Sequence, residues 1–152
     1  MTDHLQLIQT RLAHLARMQA FLDYSLGQVQ PHLPLDDWQA LGPDQHESLA
    51  AFRVRFSEFQ EHLGKLMRAV AIEEEQNVDR FGAVLAVMER LQILDTTEHW
   101  KLIRELRKAV NHEYEQASAR LAEFFSLLAA ETSALFNYFS RLQAYCAQAY
   151  GL

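Results

Sequence analysis

The chain has 152 residues, 49% of them hydrophobic, with only 5 Gly and 3 Pro, so it is long enough to bury one core and too poor in turn formers for a strand-and-turn fold. A net charge of −6 argues against a protein that coats nucleic acid through a broad basic surface. Cys146 is the single cysteine, which excludes an intrachain disulfide; no start resembling a signal peptide and no apolar run of roughly 20 residues is present, and the expected location is the cytoplasm.

Leu5, Ile8, Leu12, Leu15, Leu22, Leu26 and Val29 recur at three- and four-residue steps and predict a first helix of about 25 residues. Pro31, Pro34 and Pro43 fall in one window with Gly42 and Asp36-Asp37, the clearest loop in the chain. Asp44 and Glu47 then suit the reciprocal cap of a second helix, whose stripe is Phe52, Phe56, Phe59, Leu63, Leu66 and Val70. That aromatic stripe reads as core or dimer interface rather than a platform for stacking bases. Glu73-Glu74-Glu75 marks a boundary, since acids are unfavourable at a helix C-terminus.

Phe81, Val84, Leu85, Met88 and Leu91 predict a third helix ending near Leu94, and Asp95 with Glu98 suits the cap of a fourth carrying Trp100, Ile103, Leu106 and Val110. A long apolar face, Leu121, Phe124, Phe125, Leu128, Leu135, Phe136, Phe139 and Leu142, predicts a last helix. No segment alternates as a strand would and no repeat is present. The expected fold is all-α, an antiparallel bundle of about four to five helices in a single domain spanning 1–152, with its motif-bearing core at about 52–150.

The fourth helix runs into Arg107-Lys108-Ala109-Val110-Asn111-His112-Glu113-Tyr114, which sets the spacing Arg-x4-His-x-Tyr inside an otherwise ordinary helical sequence. Histidine, with an unperturbed pKa of about 6.5, can take the proton from a ribose 2′-hydroxyl and return one to a leaving oxygen. Arginine can face a phosphate with a planar fork of donors. Basic residues collect just before the motif, at Lys101, Arg104, Arg107 and Lys108, with Glu105 the one acid among them, enough to hold a few phosphates. The bland alternatives are a solvated helix face for the charges and a satisfied interface histidine for His112. On an unbroken helix His112 would sit about 140° from Arg107. A bend near Asn111, or a second copy across a two-fold axis, would be needed to join them, and the two-fold dimer is the favoured expectation.

The segment Trp100-Lys101-Leu102-Ile103-Arg104-Glu105-Leu106-Arg107, followed by His112-Glu113-Tyr114, resembles the signature of the HEPN superfamily, and in particular HepT-type toxins of toxin-antitoxin pairs. Looser similarity runs upstream through Phe59-Gln60-Glu61, Gly64-Lys65-Leu66-Met67-Arg68 and Leu91-Gln92-Ile93-Leu94, so it covers roughly residues 52 to 116. This resemblance implies an all-helical homodimer that cuts RNA without a metal or other cofactor at a cleft between protomers. It further implies Arg107 and His112 as the catalytic pair, and Tyr114 as the tyrosine that an MntA-type minimal nucleotidyltransferase antitoxin modifies with AMP to silence the toxin. Lys101, Arg104 and Lys108 would steer the RNA backbone. The family pattern has Asn or Asp after its arginine; this chain has Lys108, and Asn111 is the candidate to supply the missing hydrogen bond.

Two other classes compete. One is a non-catalytic helical partner of a nucleotidyltransferase, which the acidic N-terminal third and Lys108 would suit. The other is a metal-binding bundle, since Glu58 with His62 and Asp95 with His99 are each one helical turn apart; it ranks low because no acid has a His three positions later.

Overall fold

The structure, a computed structural model, describes residues 1–109 and 116–152. Among the described residues there are five α-helices and no strand, as the periodicity predicts: α1 (Asp3–Val29), α2 (Pro43–Glu73), α3 (Phe81–Arg90), α4 (Thr97–Lys108) and α5 (Ser118–Tyr150). None of these helices is long and apolar enough to cross a membrane.

The helix starts differ in detail from the expected caps. α2 begins with Gly42 as its N-cap and Pro43 in the first turn, where a missing N–H costs nothing, and it is the Gln45 side chain, not Glu47, that accepts from the Gly42 N–H at 3.1 Å. α4 is capped by Thr96, whose Oγ1 accepts from the His99 N–H at 3.0 Å, one residue beyond the expected Asp95. α3 stops at Arg90 rather than near Leu94. Gln92 adopts a left-handed φ of 60°, and the Ile93 N–H closes back on the Met88 carbonyl at 2.9 Å. Ile93 and Leu94 are buried in this turn, which explains why the apolar pattern outruns the helix. α2 ends alike, with Glu75 left-handed and the Gln76 N–H on the Ala71 carbonyl at 3.0 Å.

α1 and α2 form an antiparallel hairpin, fastened where His4 Nε2 meets the Ala69 carbonyl at 2.9 Å. α5 runs along α2 in the same sense. Trp38, in the loop before α2, packs against both His46 and Phe125; Phe59 meets Phe136 and Phe139 edge-on; and the Tyr150 hydroxyl donates to Glu74 at the far ends of both helices. α4 runs antiparallel to α5, with Asp95 and His99 beside Arg141 and Tyr138 and the Ala109 carbonyl beside Arg120.

Phe52, Phe56, Phe59, Leu63, Leu66 and Val70 are all fully buried, so the aromatic stripe of α2 is core. Each aromatic pair in it adds about 0.5–1.5 kcal/mol beyond its buried area. Cys146 is also fully buried, and burial pushes its thiol up to about 11.

Candidate functional site

α4 is built to present one polar face on each side. Trp100 and Ile103 anchor it in the core, and with 3.6 residues per turn the residues four and seven beyond Trp100, namely Arg104 and Arg107, fall on the side that meets α2. There they line a cleft of about 220 Å³ together with Gln60, Glu61, Gly64, Lys65, Arg68 and Phe81.

The cleft closes this tightly because α2 carries a glycine. A Cβ at Gly64 would lie 3.3 Å from the ring edge of Phe81 and 3.4 Å from that of Trp100, so even a methyl group would press on both rings. Arg68 spans the rim, with its guanidinium 5.9 Å from the Phe81 ring centre and donating to the Val78 carbonyl at 3.0 Å. Glu61 is the one acid in the lining and faces Lys65 at 3.6 Å, an exposed pair. Four cations therefore share a small space with a single carboxylate.

Several polar atoms in that lining are buried without a hydrogen-bond partner among the described residues: Gln60 Oε1, Trp100 Nε1, and the Nε atoms of Arg104 and Arg107. Gln60 and Trp100 are 3% and 1% exposed. A buried polar group left unpaired costs about 1–3 kcal/mol, and native folds rarely tolerate several side by side. Three of the four are N–H donors, and rotating the Gln60 amide offers a fourth. Unpaired N–H donors and excess positive charge in one small cleft make a lining chemically suited to an anion.

Of the residues singled out from sequence, Arg104 and Arg107 are brought together on this cleft. Lys101 and Lys108 are exposed and are not part of its lining. Asn111, His112 and Tyr114 lie outside the described residues. α4 ends at Lys108, and the placement of His112 relative to Arg107, on which the expectation of a second copy turns, lies outside the described residues. Arg107 and Lys108 occupy the last turn, where cations suit the negative end of the helix dipole. Arg120 of α5 donates to the Ala109 carbonyl at 3.1 Å and thereby ties together the two ends of the segment that holds His112 and Tyr114.

The opposite side of α4 carries a cluster the sequence does not announce. His99 Nε2 lies 2.8 Å from Glu131 Oε2, and its Nδ1 meets the Tyr138 hydroxyl. A carboxylate can only accept, so Nε2 carries the proton and the phenol donates to Nδ1. Burial, and next the charge of Asp95, raise the Tyr138 pKa and keep the phenol a donor. The order Tyr-His-Glu matches a nucleophile, base and orienter, but Tyr138 is 1% exposed and no substrate reaches it. It is a clamp between α4 and α5. Asp95 bonds Arg141 at 2.7 Å rather than joining His99 around a metal, and among the described residues no three His, Cys, Asp or Glu side chains converge as a metal would need.

Gln60, Lys65 and Arg68 lie 39 to 47 residues from Arg107 and Trp100 reads as core; in the sequence they surface only within the stretches of resemblance, Gln60, Lys65 and Arg68 in the looser upstream part and Trp100 at the start of the signature segment. Comparison with protein-family models, with curated proteins and with solved structures finds no match to this chain.

Proposed function

We propose that this protein is a metal-independent endoribonuclease, the toxin of a toxin-antitoxin pair, with Arg107 and His112 as its catalytic pair. The observation that supports this most is the position of Arg107. It lies at the end of α4, on the edge of a cleft rich in cations and unpaired donors, immediately before the segment that carries His112 and Tyr114.

In this reaction an imidazole of His112 removes the proton from a ribose 2′-hydroxyl, and the 2′-oxygen attacks the adjacent phosphorus. The bond from phosphorus to the 5′-oxygen breaks, that oxygen takes up a proton, and the products are a 2′,3′-cyclic phosphate and a free 5′-hydroxyl. Arg107 donates to the non-bridging oxygens as their charge grows. Tyr114, two residues past His112, is the proposed site at which an MntA-type nucleotidyltransferase attaches AMP to silence the toxin. Homodimerisation, with the cleft completed between protomers, belongs to the same proposal and rests on the resemblance to HEPN proteins.

The test is expression of the wild type beside Arg107→Ala, His112→Ala and Tyr114→Phe, following growth and the integrity of total RNA. Wild type and Tyr114→Phe should arrest growth and fragment RNA, and His112→Ala and Arg107→Ala should each lose at least about 10²-fold in cleavage while remaining folded. If Arg107 and His112 of different protomers share a site, mixing the two dead variants restores part of the activity. Intact RNA with well-folded wild type would instead favour a non-catalytic partner of a nucleotidyltransferase.

A further inference from the structure

We propose that the cleft between α2 and α4 is a phosphoryl-binding subsite in which Arg68, Arg104, Trp100 and Gln60 hold a phosphate adjacent to the one that Arg107 engages. It rests on the ribonuclease reading only for the source of that phosphate, the backbone of a single-stranded RNA.

Three observations carry it. The first is chemical: Trp100 Nε1 and Arg104 Nε are N–H donors, buried and without partners among the described residues, and a phosphate oxygen with its several lone pairs can satisfy both. Gln60 is 3% exposed with its amide oxygen unpaired, and turning the amide presents its NH₂ to the same oxygens. The second is electrostatic: Lys65, Arg68, Arg104 and Arg107 share the lining with one carboxylate, Glu61, so an anion bound there offsets the repulsion among the four cations. The third is size. At about 220 Å³ the cleft is smaller than the roughly 300–1,000 Å³ that encloses a whole small-molecule ligand, which suits a phosphate with part of its sugar and leaves the base outside. Lys101 and Lys108, exposed on α4 and outside the lining, are left to meet the strand as it departs.

The indole N–H of Trp100 is a built-in reporter, and Trp38, packed on Phe125 far along the sequence, serves as the internal control. The full-length His112→Ala protein, which binds without cutting, would be titrated by ¹H–¹⁵N NMR with inorganic phosphate, with AMP and with an eight-nucleotide RNA. Trp100 should shift saturably with all three while Trp38 stays in place, and Arg104→Gln should weaken each by at least tenfold without changing the helical circular dichroism. Affinity for the RNA that exceeds phosphate by tenfold or more and falls steeply with salt identifies a backbone phosphate; equal affinities identify a free phosphate or mononucleotide as the ligand of the same subsite. A Trp100 resonance unmoved by any probe overturns the proposal. RNA binding that leaves Trp100 unmoved overturns it while leaving the ribonuclease reading intact. A Trp100 shift with phosphate, in a protein whose wild type leaves RNA whole, upholds the subsite and removes the ribonuclease reading.

Discussion

The two sides of α4 carry similar residue types in opposite states. Toward α5, His99, Tyr138 and Glu131 satisfy one another, and Asp95 and Arg141 pair beside them. Toward α2, Trp100, Gln60, Arg104 and Arg107 bury polar atoms that find no partner among the described residues. The same helix, in the same few turns, thus completes one polar network and leaves another open. A completed network holds helices in register; an open one leaves part of its stabilisation to something that binds.

Substitutions should sort by side. Tyr138→Ala removes a fully buried ring and is expected to cost about 3–5 kcal/mol, whereas Tyr138→Phe keeps the ring and strands the His99 nitrogen, for about 1–3 kcal/mol. Urea unfolding would measure both; a Tyr138→Phe protein as stable as wild type would show that the clamp contributes packing alone. On the α2 side the sign should reverse. Arg104→Met retains the aliphatic stem, removes one of four crowded cations and one unpaired donor, and is expected to raise stability by on the order of 1 kcal/mol, a rise in Tm of about 2–4 °C. A fall in Tm would mean that Arg104 is already paired in the folded protein and that the cleft is not open. Gly64→Ala is smaller still in stability: the helix gains about 0.5–1 kcal/mol from alanine while the methyl presses on Phe81 and Trp100. The net should lie near zero, yet the rings it displaces border the cleft, so phosphate binding should weaken while Tm stays put.

How much of this was legible without coordinates follows the range of the interactions. The five helices were, because the apolar spacing of each is local; α1 matches its stripe almost end to end. Caps were less so. Asp95 is a good capping residue by type, but Arg141, 46 positions away, claims its carboxylate and Thr96 takes the cap. α3 stops short of its expected end for the same kind of reason: Ile93 and Leu94 continue the apolar pattern because they are buried, not because they are helical. At the site, Arg104 and Arg107 were visible as a basic cluster, whereas Gln60, Gly64 and Trp100 read as ordinary helix or core. Only the meeting of α2 with α4 turns them into a lining. The Tyr138, His99 and Glu131 clamp was invisible because its members are 32 and 39 residues apart and none is unusual alone.

The weakest contact on the completed side offers a test of how far the network extends. Asp95 and Arg141 are solvent-exposed, so their bond is screened and its effect on stability small. Its signature is in pH. The hydrogen bond from Arg141 holds the Asp95 carboxyl below its ordinary pKa, with the charges of Arg141 and His99 acting in the same direction. A carboxyl depressed in the folded state stabilises the fold at pH above its unfolded value of about 3.9, and that contribution is lost as pH falls through the lower, folded value. Arg141→Ala should therefore return the Asp95 titration, followed by carboxyl ¹³C shifts, toward the ordinary range. It should also lower stability slightly at pH 7, where Asp95 is ionised, and by less at acid pH, where the carboxyl takes up its proton. Equal losses at both pH values would assign the effect to the stacking of Arg141 on the Tyr138 ring, 5.6 Å from its centre, and would make the aromatic contact rather than the ion pair the outer edge of the clamp.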